Sequence, residues 1–504
     1  MNRDELLDKL SNCPPGIFRK VVTYLKPPAG TLSSEMSSQA IRAAELLEWT
    51  EHLDGLGIEE LEKCYRRAIG EQPTPSKRSL REVILTSLLI SGLTTSLVIG
   101  MRWQGKLQTL ELQAFDLLMR QQPIIGRDKR LVVVRVTSDD TEHLNQPPEE
   151  KGDGGRTLSD STLDKLLEKL NKHQPRVIGL DIFREGDVKP DYVHLETSLR
   201  EGRLIAVCKG EIYENNIKQR FFSAPNNVPK ERIGFADLAV DQDDVTRRHL
   251  LLMGLDDKRP CKAHQVEALS LKLALSYLKE KGITRQDTEA DDFLKIGTVK
   301  FSPLKLHTGG YHHPDSDVDG GIQVMLNYRP YQRYEKDIAR VFSLTEVLSE
   351  RLTTDIVKDR IVLIGVDELE DRHKTPFSRG TQLSETLPGV FVHAQMVSHI
   401  LDIVEGKRPL IWTWPLWGDA LWLWGWSLVG GLLAWVVHWR SLREVELLLK
   451  LGFFNGVAFA ILYGLCWGFL MVGGWISLVP SVIDLLITSV SVAVYALLKP
   501  RVEQ

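Results

Sequence analysis

The sequence lacks most of the residue clusters that catalysis and metal binding need. Its 504 residues include five cysteines, at positions 13, 64, 208, 261 and 466, and none has the paired spacing of a zinc site. A disulfide-stapled scaffold is excluded. Charge of one sign is missing too. The 63 Lys and Arg stand against 67 Asp and Glu, a formal net charge of −4, so no nucleic-acid surface is expected. There is no Walker loop, nucleophile elbow, HExxH helix, kinase signature or cyclase-like segment. No catalytic residue, cofactor or resident metal is therefore expected. The opening stretch MNRDELLDKL is charged and helical rather than a cleavable signal, so export needs an internal apolar segment.

Such segments are present. Val83–Met101 has no charged residue, and at about 1.5 Å per helical residue it just crosses a hydrocarbon core of about 30 Å. Six Ser and Thr, from Thr86 to Ser96, dilute it, so taken alone it also fits a buried helix of a soluble domain. Three longer apolar runs follow, Leu416–Trp439, Leu449–Val472 and Trp475–Leu498, with Trp412, Trp414, Trp417 and Trp439 near helix ends. Arg440, Arg443 and Lys450 lie in one connection and Lys499 and Arg501 in the tail, whereas the Gly473-Gly474 link is uncharged. By the excess of basic residues on the inner side, that connection, the tail and the flank with Lys77, Arg78 and Arg81 are inside. Arg102, Lys106, Lys407 and Arg408 run against the rule, but they border a long segment, and long segments translocate largely regardless of charge. The expected layout is a multi-pass plasma (inner) membrane protein with both termini cytoplasmic and residues 107–405 extracytoplasmic. Gly92, Ser96 and Gly100 recur every four residues, and that face is predicted to pack against the C-terminal helices or a second copy. Asp484, inside the fourth span, fits a packed or water-facing structural role or a proton relay.

Residues 1–70 read as a small all-α domain. Helices are predicted from Glu5, over Ile17–Leu25, over Gln39–Glu51 with Ser37 or Ser38 as cap, and over Ile58–Ile69. Lys26-Pro27-Pro28-Ala29-Gly30 breaks the second, and Gly55 and Gly57 make a turn. The stretch IFRKVVTYLKPPAG, then QAIRAAELLEWTEHLDGLGIEELEKCYRRAI, resembles the cyanobacterial effector-associated domains, small death-fold-like adaptors. That resemblance implies a non-catalytic module that pairs with a like domain on a separate cytoplasmic effector. Leu46, Leu47 and Trp49 are expected in its core. Residues 71–82, with Gln72-Pro73-Thr74-Pro75-Ser76, form a linker to the span at 83–101.

Residues 107–405 alternate apolar strands with helices. LVVVRV (131–136), VIGLDI (177–182), Leu204–Cys208, Ile322–Tyr328 and IVLIGV (361–366) read as strands. Leu107–Arg120, Thr162–Lys172 with Ser161 as cap, Asp191–Glu201, Lys262–Lys281, Ser343–Arg351 and His393–Ile403 read as helices. This pattern predicts a largely parallel sheet covered on both faces. The pieces FDLLMR, LVVVRV with SDD, PRVIGLDIFRE, IGFADLAVDQDDVTRR, VMLNYR, FSLTEVL, RIVLIGV…TPF and PGVFVHAQM together resemble the type-2 CHASE domain, an extracellular sensory domain followed by three membrane helices, here residues 410–498. The resemblance implies an α/β extracytoplasmic sensor domain. Two segments depart from it. GDGGRTLSDSTL carries Arg156 but no Trp where a W-P-W-x-R-like segment is usual. Asp244 replaces the Gly of D-x-D-G-x-x-R in Asp241–Arg247.

Candidate ligand residues are Asp139, Asp140, Asp181, Asp367 and Glu368 after strand ends, where open α/β sheets bind ligands. Asp243 and Arg247 belong to the acidic loop, and Arg247 or Arg372 is the candidate counter-charge. Turn and cap roles are the alternative for each carboxylate. Cys208 and Cys261 are the candidate disulfide, which an oxidising compartment allows. His312, His313, Asp315, Asp317 and Asp319 in GGYHHPDSDVDGG have metal-ligand side chains but no EF-hand spacing, and a solvated loop is expected. The whole reads as a membrane receptor for an unknown extracytoplasmic ligand or envelope condition, with no output enzyme. The alternatives are a constitutive membrane scaffold, whose outer domain anchors or dimerises, and an extracytoplasmic hydrolase.

Overall fold

The computed structural model describes residues 3–52, 57–70, 80–143, 158–184, 186–209, 213–214, 217–218, 222–254, 261, 265–286, 293–313, 321–379, 385–440 and 444–498. The chain divides into two compact units, residues 1–84 with 495–504 and residues 85–494.

The first unit holds α1 (Arg3–Asn12), α2 (Pro15–Leu25), α3 (Gln39–Glu51) and α4 (Ile58–Ala68). Apolar residues three and four apart make one core of Leu6, Leu10, Phe18, Val21, Leu25, Leu46, Leu47 and Leu61. Each such side chain contributes about 1.5–3 kcal/mol by leaving water. Trp49 packs half-buried at the edge of this core. Lys26 ends α2 at φ +49°, just before two prolines that cannot continue a helix. Ser38 occupies the N-cap of α3 without a capping bond. Glu45 instead accepts from the Ser33 amide at 2.7 Å and from its hydroxyl, which ties the Ser-rich loop to α3. Gly55 and the linker Gln72–Ser76 lie outside the described residues.

The second unit begins in α5 (Leu80–Trp103), the first of four helices long and apolar enough to cross a membrane. A turn at 104–107, with Gly105 at φ +73°, leads into α6 (Gln108–Arg120). Then come β1 (Leu131–Val136), α7 (Asp160–Lys172), β2 (Val177–Asp181), α8 (Val193–Arg200), β3 (Leu204–Cys208) and β4 (Ile233–Phe235). They are followed by β5 (Arg248–Gly254), β6 (Gln265–Glu267), α9 (Leu269–Lys279), β7 (Ile322–Met325), β8 (Arg340–Ser343), α10 (Leu344–Leu348), β9 (Ile361–Val366) and α11 (Gly389–Val404). Strands β8-β1-β9-β2-β3-β4, in that order, form a six-stranded sheet whose pairs are all parallel. Its two faces bury alternate side chains. Leu131, Val133 and Ile205 pack with α6, α9 and α11, while Val132, Val134 and Leu180 pack with α7, α8 and α10. Covering both faces is why LVVVRV and IVLIGV are apolar throughout.

Several boundaries differ from the sequence reading. The helix expected over Lys262–Lys281 begins only at Leu269, because Gln265–Glu267 pairs antiparallel with Leu252–Gly254. Ser159 caps α7 rather than Ser161, accepting from Thr162 N–H at 3.2 Å. Strand β8 and the antiparallel strand β5 were not expected. Arg340–Ser343 is only partly buried at the sheet edge, so its apolar signal is weak.

The other three apolar helices are α12 (Leu416–Arg440), α13 (Glu444–Met471) and α14 (Val479–Leu498). Gly430 lets α12 and α14 touch, since a Cβ there would lie 2.3 Å from the Leu485 carbonyl oxygen. Thr94, Ser427 and Thr488, one from each of α5, α12 and α14, bond to one another at 2.5–3.1 Å, and Thr95 donates to Asp484 at 2.6 Å. Asp484 is thus packed against α5, while its Oδ1 is buried without a hydrogen bond among the described residues. Gly92, Ser96 and Gly100 do not pack against the C-terminal helices. A Cβ at either glycine meets nothing within 4 Å, and the exposed Ser96 hydroxyl turns back to Gly92 O. The hydroxyl face one step round the helix wins the contact, because buried hydroxyls need partners that lipid cannot supply. The last apolar run also starts later than Trp475. That ring leaves the helix and seats on Gly309 and Gly310, beside Phe115 and Tyr311.

Candidate functional site

The candidate residues do not share one pocket. Arg247 is the most enclosed, with its side chain 1% exposed. It donates to Asp116 Oδ1 and Oδ2 at 2.8 and 2.7 Å, to Asp243 Oδ1 and Oδ2 at 2.8 and 2.7 Å, and to Asp241 at 2.9 Å. All five N–H groups of a guanidinium are thereby used. Arg247 is therefore not an available counter-charge for a ligand, and Asp243 is one of its partners. Arg248 and the Tyr311 hydroxyl complete the network on Asp241, at 2.8 and 2.9 Å. Asp244 sits at φ +62°, the left-handed turn position that a Gly would take. Arg156 lies outside the described residues.

This network is joined to the long apolar helices through α6. Asp116 is on that helix, and so is Glu111. Glu111 accepts from the backbone N–H of Leu478 and Val479, at 3.1 and 2.8 Å, and so caps α14 from a distance. Burial pushes the Glu111 carboxyl up to about 7, against the pull of Arg102 and those two amides. Arg102 closes the junction, bonding Asp419 at 2.9 Å and Gly309 O at 2.6 Å. A second network sits where α11 leads towards α12. Asp402 accepts from Arg130, from Arg329 at 2.7 Å and from Arg408 at 2.7 Å, while Glu405 accepts from Arg130 at 2.7 Å. Sequence reading missed Asp116, Asp241, Asp402 and Asp419 as partners. The available signal was a carboxylate in an otherwise apolar helix, as in VSHILDIV.

At the carboxyl edge of the sheet, Asp367 pairs with Arg372 at 2.7 Å, and Arg372 reaches the Tyr334 hydroxyl at 3.3 Å. Asp181 ends β2, and its Oδ1 lies 3.8 Å from His393 Nε2. Burial, then the charge of Asp371, pushes the Asp181 carboxyl up to about 8. Burial pushes His393 down to about 4. Burial disfavours the charged form of both groups, and 3.8 Å is too long for a hydrogen bond. The unfolded carboxyl ionises from about pH 4, whereas the folded one keeps its proton to about 8. The folded form binds the extra proton across that window, so this group makes stability fall as pH rises through it. Asp181→Asn is expected to flatten that decline in melts taken from pH 5 to 8; an unchanged slope would place the titration elsewhere. Asp139 lies apart, exposed on the short helix Ser138–His143. Its neighbour Asp140 accepts from Thr137 and Thr345, the cap alternative.

Cys208 and Cys261 are joined by a disulfide with a Cα separation of 5.9 Å. In the GGYHHPDSDVDGG stretch, the amides of His312 and His313 both donate to Gln108 Oε1 at 2.8 Å, and Asp315, Asp317 and Asp319 lie outside the described residues. Among the described residues no group of three His, Cys, Asp or Glu could hold a metal.

One cavity of about 430 Å³ opens at the end of α6, lined by Arg120, Tyr331, Tyr334, Phe377, Arg379 and Glu385 among others. Through Tyr334 it adjoins the Asp367–Arg372 pair.

A parallel α/β domain that follows the first of four helices long and apolar enough to cross a membrane, with ion networks where it meets them, fits a membrane protein of sensor or receptor layout. The sequence profile of the CHASE2 domain matches residues 93–432, more than half of the chain, and the chain belongs to the CHASE2 sensor-domain family. No curated protein and no solved structure matches it.

Proposed function

We propose that the protein is a plasma-membrane sensor without catalysis of its own. Residues 107–405 face outward and respond to a ligand or envelope condition. The helical unit of residues 1–70 recruits a separate cytoplasmic effector that carries a like domain. The observation that carries this reading is α6. It holds Asp116 of the Arg247 network and Glu111 at the start of α14, and it follows α5 after one turn. A change in the domain that moves α6 therefore acts on two spans at once. The ligand shifts this equilibrium only by its difference in affinity for the two states.

The outward orientation gains support from three features. The disulfide suits an oxidising compartment. Arg102 and Arg408, two of the cations that oppose the charge rule, are neutralised by Asp419 and Asp402. The basic residues Arg440, Arg443, Lys450, Lys499 and Arg501 favour the cytoplasmic side for the connection and tail.

A constitutive scaffold is the second reading, favoured by the same ion networks, which tie α6 and α11 to the rest of the domain through the chain's own charges. Deleting residues 1–70 is expected to abolish the downstream response while the remaining chain still inserts. A response that survives the deletion would overturn the recruitment role. Affinity capture with the N-terminal unit should recover a protein carrying a like domain.

A further inference from the structure

We propose that the cavity at the end of α6 binds a small zwitterion with an aromatic body, of the class of an aromatic L-amino acid. The cavity of about 430 Å³ falls in the range typical of small-ligand sites, roughly 300–1,000 Å³. That suits a single amino acid rather than a peptide.

Its wall carries charges of both signs that do not pair with each other. Arg120, the last residue of α6, donates through Nη1 to Pro376 O and Ser378 O at 3.1 and 3.3 Å; its Nε and Nη2 make no hydrogen bond among the described residues. Arg379 is exposed at the cavity's rim and makes no ion pair among the described residues. Glu385 Oε2 is buried and has no hydrogen-bond partner among the described residues. A buried carboxylate oxygen left without a donor costs free energy, and the half-buried Arg120 guanidinium lacks an anion among the described residues. A ligand with one charge would relieve only one side. An α-carboxylate matches the planar guanidinium forks, and an α-ammonium supplies the donor that Glu385 lacks.

The third wall is aromatic. The Tyr331 and Phe377 rings lie 4.8 Å apart and 33° from parallel, with Tyr334 beside them. The Tyr331 hydroxyl is tied to Thr375 at 2.8 Å, so the ring face is held in place. Such a surface takes a flat apolar body by offset or edge contact.

The proposal deepens the sensor reading and rests on it for its consequence. A carboxylate on Arg120 engages one end of the helix whose other half caps α14 through Glu111. Binding is thus read by the helix that touches the spans.

The test uses the full chain in detergent, titrated calorimetrically with L-phenylalanine, L-tyrosine and L-tryptophan. Phenethylamine and 3-phenylpropionate, which keep one charge each, are the comparators. At least one amino acid is expected to bind saturably, and both comparators at least about tenfold more weakly, the scale of one unpaired buried polar group. Arg379→Met and Glu385→Gln should each weaken binding about tenfold and leave the ligand-free melting temperature unchanged. Arg120→Met should weaken binding similarly but also lower the melting temperature, since it removes the bonds to Pro376 O and Ser378 O, and if it fails to fold the other two variants decide. No binding by any of the three amino acids, equal binding of the comparators, or variants that bind like the parent would overturn the site. Binding without any effect on the response of the 1–70-containing chain would leave the site standing and sink the sensor reading. A response lost on deleting residues 1–70, with no amino-acid binding, would do the reverse.

Discussion

Arg247→Met is expected to destabilise the α/β domain by about 3–5 kcal/mol, the cost of breaking a buried ion cluster by removing one partner. Arg247 neutralises Asp116, Asp241 and Asp243 from a position almost without solvent, and methionine leaves those carboxylates facing each other. Burial already pushes Asp116 upwards with Arg247 present. Arg247→Lys should recover only part of the loss, because an ammonium cannot make two bidentate pairs. Adding Asp116→Asn to Arg247→Met should restore some stability by removing one uncompensated charge, a non-additive result expected only of groups in contact. Denaturant melts of the full chain in detergent measure all three. A melt unaltered by Arg247→Met would mean that the carboxylates are satisfied by other groups. Because Asp116 sits on α6, the same variant should also loosen the junction, read as faster hydrogen exchange at the start of α14.

Loss of the Cys208–Cys261 bridge should cost nearly as much. The residues are 53 apart in sequence, and the chain-entropy argument for a loop of that length gives about 4 kcal/mol. Both cysteines are buried, Cys208 on the last residue of β3. A reductant, or the double variant Cys208→Ser/Cys261→Ser, should therefore lower the melting temperature by the same amount, and the reductant should have no further effect on the variant. If reduction leaves the melt where it was, the pair is not bridged in the folded protein. Cys13, Cys64 and Cys466 are free, and the variant keeps them, so it controls for their oxidation.

Much of the fold was legible because its signals are local. The run IVLIGV is apolar at every position, which only a strand covered on both faces requires, and its limits agree with the sequence reading. Gln39–Glu51 likewise keeps a helical apolar stripe, and its limits agree with the sequence reading, although Ser38 makes no capping bond. Gln265–Glu267 was misread because a strand of three residues has no period of its own and takes its state from Leu252–Gly254. Gly92, Ser96 and Gly100 show the same limit in the membrane. Small residues permit close packing, but which face meets a neighbour depends on where Ser427, Asp484 and Thr488 stand on the other helices.

The candidate site divides along the same line. Asp181 and Asp367 were visible at strand ends, and the strands do carry them to one edge of the sheet. That Arg247 is spent inside the protein was not visible, because its partner Asp116 lies 131 residues away in sequence. The sequence by itself determined what hydropathy and spacing encode: four apolar helices, a two-sided parallel sheet and a separate helical unit. Only the tertiary structure decided which charges meet, which helix face is buried and which side chains surround an open cavity. Hydropathy acts residue by residue along the chain. Ion pairing and cavity shape depend on distances of a few ångströms between residues hundreds of positions apart, and those distances exist only after folding.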